Sequence, residues 1–199
     1  MPRTVEFFYD FGSPAAYLAF SQLPHLCADV GAQLVWRPML LGGVFQATGN
    51  RSPADVPAKG KYMNADLRRH AARYDVPFRH NPNFPINTLL LMRGATAVQM
   101  HRPASFDAYH RAVFAAMWVD GRNMGDAAVI GAVLAEAGLD PAAVLAMAGQ
   151  QDVKDRLKAV TAEAVERGVF GAPTMLVGDQ LFWGQDRLDF VREALAAPN

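Results

Sequence analysis

Phe7-Phe8-Tyr9-Asp10-Phe11-Gly12-Ser13-Pro14-Ala15-Ala16-Tyr17 is the stretch on which the fold turns. Val5 to Tyr9 is dense in β-branched and aromatic side chains, which suit a pleated, buried surface, so it reads as a strand. Gly12 permits a sharp backbone turn. Ser13 is a good helix N-cap, and Pro14 stands at the first helical position, where a missing N–H costs nothing. Strand, tight turn and helix start follow one another within these residues. Read locally, Ser13 is a cap and nothing more.

Working outward, the first helix is predicted from Pro14 to about Asp29, stopping near Gly31, with a kink or break at Pro24. Leu34 to Leu41 reads as a second strand, and the βαβ crossover should be right-handed. Gly42 to Gly60 carries Gly-Gly, Thr-Gly-Asn and two prolines and is predicted as a loop. Lys59 to Tyr74 is helical in pattern, and its cations (Lys59, Lys61, Arg68, Arg69, Arg73) read as a solvated face. A helix headed by Asn87 should run from Thr88 to about His101. Another follows Ser105, with Phe106, Tyr109, Val113, Phe114 and Met117 as a core stripe. Helices begin at Asp126, Asp140-Pro141 and Asp152, stopped by Gly138, Gly149 and Gly168. Met175 to Val177 and Leu181 to Trp183 form a hairpin through Gly178-Asp179. A last helix is predicted from about Asp186 to Ala196. The order is βαβ, a helical block, then ββα, which suits an α/β layer unit with an inserted all-helical domain.

Composition bounds the function. The chain has 199 residues, half of them apolar, enough for a real core. Formal net charge is zero, which argues against nucleic-acid binding. No apolar run reaches membrane-span length and the N-terminus lacks a signal pattern, so a cytoplasmic protein without membrane partners is expected. One cysteine, Cys27, allows no internal disulfide and supplies no metal site; among Leu23, Leu26 and Val30 it reads as a packed thiol.

Gly171-Ala172-Pro173-Thr174 precedes the hairpin and Gly184-Gln185-Asp186-Arg187 follows it. Together with FYDFGSPAAYLA (8–19), KGKYMNADLRRHA (59–71), FPINTLLLMR (84–93), VFGAPTM (169–175) and FWGQDR (182–187), these segments resemble the DsbA-like branch of the thioredoxin superfamily. More closely they resemble the 2-hydroxychromene-2-carboxylate isomerases and their relatives, the kappa-class glutathione transferases. The resemblance runs nearly end to end. It implies a thioredoxin-like domain at 1–43 plus 165–199, a helical domain at 44–164, a site in the cleft between them, and a homodimer.

Where disulfide-exchanging relatives carry C-x-x-C, this chain has Ser13 and Ala16. Neither supplies an attacking thiolate, so exchange by this turn is excluded on chemical grounds. The helix terminus remains, and its N–H groups and dipole favour an anion beside Ser13. A thiolate is such an anion, and the resemblance implies that glutathione brings it, with Ser13 as the catalytic hydrogen-bond donor to sulfur. Ala172-Pro173 fits the superfamily's cis-proline turn, and Ala172 is carried over as the backbone partner of the thiol ligand; a purely structural turn is the alternative. Trp183, Gly184, Gln185, Asp186 and Arg187 match the segment that holds the γ-glutamyl end, where Asp186 suits an ammonium. Gln185 departs from the Asn or Ser expected there. Asn50, Lys59 and Asn87 match substrate- or glutathione-contacting positions. The implied activity is glutathione-dependent cis–trans isomerisation of an aromatic carboxylate, 2-hydroxychromene-2-carboxylate to trans-o-hydroxybenzylidenepyruvate. A kappa-like transferase that consumes glutathione and a non-catalytic thioredoxin-like binding module are the alternatives.

Overall fold

The computed structural model describes residues 3–197; the outermost positions of the expected thioredoxin-like segments, 1–2 and 198–199, lie outside the described residues. At its centre is a four-stranded sheet in the order β2-β1-β3-β4. β1 (Thr4–Tyr9) runs parallel to β2 (Gln33–Pro38), with Phe7 opposite Trp36. A parallel pair needs a crossover, and α1 (Pro14–Val30) supplies it. β3 (Thr174–Val177) is antiparallel to β1, and β4 (Gln180–Trp183) is antiparallel to β3. This is the mixed α/β architecture of the DsbA-like thioredoxin fold.

Successive strand residues face opposite sides of a sheet, and the core divides accordingly. Val5, Phe7, Tyr9, Met175 and Val177 join the larger core with α1 and the helical block. Phe8 and Leu176 join a smaller core on the other face, with Met39, Val44, Val160 and Ala164. Arg37 and Arg167 lie over the Phe8 ring at 5.4 and 5.7 Å and pair with Glu6, tying β1 and β2 to the segment just after residue 166.

Several local expectations are corrected. α1 is not broken at Pro24, which is exposed while Leu23, Leu26 and Cys27 are buried, so water can serve the carbonyl that lacks a partner. The second strand ends at Pro38, because Leu41 already opens α2 (Leu41–Thr48). Thus 42–60 is not one loop. Gly43 lies close to α8 (Gln151–Glu166), where a Cβ would meet Thr161 Cγ2 at 3.2 Å, and the Leu40 N–H donates to Thr161 Oγ1 at 3.0 Å. Tertiary packing overrides the helix cost of two glycines.

The helical block continues through α3 (Pro57–Arg73), α4 (Leu89–His101), α5 (Phe106–Trp118), α6 (Ala127–Glu136) and α7 (Pro141–Ala148). Thr88, not Asn87, occupies the N-cap of α4. The sequence divisions at 43/44 and 164/165 fall inside α2 and α8. The last helix, α9 (Leu188–Ala196), starts after a separate 3-10 turn at Gln185–Arg187, so Asp186 is not its N-cap. Among the described residues no helix is long and apolar enough to cross a membrane, and no cluster of three or more His, Cys, Asp or Glu side chains could hold a metal ion.

Candidate active site

Strand directions bring four chain segments to one end of the sheet. β1 and β2 both end there; β3 begins there and β4 returns to it. Phe8 pairs with Thr174, and Thr174 with Trp183. The turn after β1 therefore meets Ala172-Pro173, and Gly184 follows alongside, its N–H donating to the Pro173 carbonyl at 3.0 Å. The Ala172-Pro173 bond is cis.

Ser13 is 6% exposed and makes both kinds of contact that a hydroxyl can. Its Oγ accepts the Ala16 N–H at 3.1 Å, which is the cap of α1, and its O–H donates to the Ala172 carbonyl at 2.9 Å. A cap alone requires only the first contact. The second joins the two segments that the sequence singled out 159 residues apart.

Beneath Ser13 lies a residue that motif reading passed over. Asp10 is 1% exposed; its Oδ1 accepts the Gly12 N–H and its Oδ2 the Leu41 N–H, both at 2.8 Å. Burial raises its pKa, and the two N–H groups and the Thr88 side chain draw it part of the way back. Its backbone carbonyl accepts the Ser13 N–H at 3.0 Å. One aspartate thus shapes the Gly12 turn and ties it to the start of α2. The available signal was an acidic residue closing an apolar strand before a glycine, since buried carboxylates need partners.

Trp183 is 45% exposed and its ring lies 5.1 Å from that of Phe170. Gly171 makes room for it: a Cβ there would sit 2.6 Å from the indole Nε1. Gly184 adopts φ 108°, ψ 147°, a region open essentially to glycine alone. Asp186 and Arg187 pair at 2.9 Å, both largely solvated. Gln185 is buried, its carbonyl accepting the Tyr74 O–H at 2.7 Å; Tyr74 was not among the sequence candidates.

The remaining candidates differ. Asn50 reaches the site's rear, its Nδ2 donating to the Phe170 carbonyl at 2.8 Å. Lys59 is exposed in the first turn of α3, with no carboxylate partner among the described residues. Asn87 accepts the Leu89 N–H at 3.0 Å and lines a polar cleft of about 490 Å³ with Asn83, Asn123 and Asp126. Among the described residues no hydrogen bond or ion pair joins Lys59 or Asn87 to Ser13, although Thr88, beside Asn87, packs against the Gly12 turn. Cys27 is 4% exposed and burial pushes its thiol up to about 11, so it holds no thiolate at neutral pH.

Comparison with known proteins agrees with this fold. The family profile of the DsbA-like thioredoxin domain matches residues 4–196. A 2-hydroxychromene-2-carboxylate isomerase from Sphingobium xenophagum is 35% identical, covering 98% of this chain and 99% of the relative. Human glutathione S-transferase kappa 1 is 28% identical over 98% of this chain and 92% of its own. A solved 2-hydroxychromene-2-carboxylate isomerase structure superposes with a TM-score of 0.84 at 31% identity, covering 96% of this chain and 94% of that one. The chain belongs to the DsbA-like thioredoxin family and, within it, to the 2-hydroxychromene-2-carboxylate isomerases.

Proposed function

We propose that this isomerase acts on 2-hydroxychromene-2-carboxylate or a similar aromatic keto acid with glutathione as cofactor, at the end of the sheet where Ser13 meets Ala172. The Ser13–Ala172 hydrogen bond carries the reading. A serine hydroxyl has one hydrogen. When it turns from the Ala172 carbonyl to a sulfur, it stabilises a thiolate at the N-terminus of α1, where the dipole also favours an anion. The same rotation frees the Ala172 carbonyl to accept a peptide N–H of the tripeptide. Glutathione, when bound, supplies a thiolate whose reversible addition to the alkene makes the blocked bond a single bond that can rotate.

The other named residues hold the ends. Asp186 is offered to the γ-glutamyl ammonium; its pair with Arg187 is solvated and weak, so it can be exchanged. Trp183, Gly184 and Gln185 form the wall of that subsite. Lys59 is available to a substrate carboxylate, with Asn50 and Asn87 as further polar contacts. We carry the division into 1–43 plus 165–199 and 44–164 with this reading, the site lying between the two parts, and a homodimer from the resemblance, which sedimentation would test.

The experiment is a calorimetric titration with glutathione on wild type and Asp186→Ala. Wild type should bind, and the variant should lose about 1–3 kcal/mol, the scale of a charge-assisted hydrogen bond. Unchanged affinity would remove the γ-glutamyl assignment. Glutathione recovered in full after turnover identifies isomerisation; its stoichiometric consumption identifies a transferase.

A further inference from the structure

Tyr74 closes α3 from its C-cap position, its own N–H bonded to the His70 carbonyl at 2.9 Å. Asp75 then turns the chain at φ +53°. Two tyrosines fasten this short stretch in opposite directions. The Tyr74 O–H donates to the Gln185 carbonyl at 2.7 Å, and the Tyr17 O–H, from the first turn of α1, donates to the Pro77 carbonyl at 2.7 Å. Ser13 and Gln185 are therefore linked through residues 74–77: Ser13 and Tyr17 sit at the start of α1, Pro77 and Tyr74 on the same loop, and Gln185 at the far end.

The Gln185–Arg187 turn packs against α1 with Gln185 buried, but few hydrogen bonds fix its backbone. Its N-cap is Gly184, which has no side chain to cap it, and the Arg187 N–H reaches the Gly184 carbonyl at a long 3.3 Å. The Asp186–Arg187 pair is solvated. Among the described residues, the hydrogen bonds that reach the turn from outside are Gly184 N–H to the Pro173 carbonyl and Tyr74 O–H to the Gln185 carbonyl. A turn free to sample other shapes must be ordered on binding, at a cost in affinity.

We propose that Tyr74 is a positioning residue: by holding the Gln185 carbonyl it fixes the turn that presents Asp186 to the ammonium end of the thiol cofactor. The proposal rests on the glutathione reading above. Burial, with Asp186 and Asp189 nearby, raises the phenol's pKa, so it remains a donor through the neutral range.

The test is Tyr74→Phe, which keeps the ring and removes the donor. The Kd for glutathione should rise about three- to tenfold, kcat at saturating glutathione should stay within twofold, and the bound thiol's titration should not move. Amide exchange at Arg187 should accelerate tenfold or more, with β3 amides unaffected. An unchanged Kd in the folded variant, or exchange that accelerates uniformly with a lowered Tm, overturns the positioning role. If wild type itself fails to bind glutathione, the functional reading fails. Arg187 exchange then decides by itself whether Tyr74 orders the turn, and an unchanged rate overturns that too.

Discussion

Substitution can separate the helix cap that Ser13 makes from the thiolate-donor role proposed for it. As a cap it is worth ~1 kcal/mol, and Ser13→Ala should lower stability by about that much. As a thiolate donor it should also hold down the pKa of bound glutathione. Each unit of pKa corresponds to about 1.4 kcal/mol, so turnover at neutral pH should fall about tenfold or more and recover in part as pH rises. Thiolate absorbance against pH in wild type and Ser13→Ala is the check; coincident curves would refute the donor role. Cys27→Ala should leave glutathione-dependent turnover intact, because that thiol is buried in the core and pushed up to about 11. Lost activity in a folded Cys27→Ala protein would mean that the wrong thiol had been assigned. Ser13 was legible as a helix start, whereas its bond to Ala172 was not: nothing local to either residue encodes a partner 159 positions away.

At the scale of elements, Gly94 in the middle of α4 shows how a helix–helix contact dictates sequence. Glycine inside a helix costs roughly 0.5–1 kcal/mol relative to alanine, so its presence calls for a reason. A Cβ there would lie 2.1 Å from Tyr109 Oη and 2.7 Å from its Cζ. Tyr109, on α5, donates to the Leu91 carbonyl at 2.8 Å from that position. Gly94→Ala should therefore destabilise the protein by roughly 1–3 kcal/mol or more, despite alanine's better helix propensity. Adding Tyr109→Phe should recover part of the loss but not all, since the ring carbon stays too close. Urea denaturation of both single variants and the double variant measures the coupling; strictly additive losses would contradict the contact. The apolar period identified both helices, but not the close approach, which depends on how they cross.

For the whole molecule, the core sets the pH range of stability. His110 is fully buried on α5: its Nδ1 faces the Phe106 carbonyl at 2.7 Å and its Nε2 the Tyr9 hydroxyl, and the ring stacks on Phe106 at 3.8 Å. Burial lowers its pKa to about 3, with the Phe106 contact opposing in part. A depressed folded-state pKa contributes stability that is present above the unfolded value, near 6.5, and is lost as pH falls toward the folded one. Stability should therefore decline below about pH 6.5 by up to about 1.4 kcal/mol per unit. Asp10, whose pKa is raised, acts with the opposite sign, its contribution being lost as pH rises through its folded value. Urea midpoints from pH 7 to 4 should show the decline in wild type and a smaller one in His110→Gln; parallel curves would exclude His110 as its source. In alkali, Tyr9 and Tyr109 resist ionisation through burial, so stability should fall as pH rises above about 10, where the unfolded phenols ionise.

Local sequence determined most of the elements here, because strand composition, caps and stops act over a few residues: Val5–Tyr9, Ser13-Pro14, Asp126, Asp140-Pro141 and Gly178-Asp179 each punctuate the chain as the structure does. Motifs spread along the chain, from FYDFGSPAAYLA through KGKYMNADLRRHA and FPINTLLLMR to FWGQDR, together indicated the family. Tertiary structure decided the rest. α2 forms through two glycines because Val44 and Gly43 pack against α8, and α1 runs through Pro24 because that residue faces water. Asp10, Tyr74 and Tyr17 gain their roles from N–H and carbonyl groups supplied by distant segments. Hydrogen bonds and packing across 30 to 160 residues depend on where strand directions and helix crossings place the chain, and no short window of sequence contains that information.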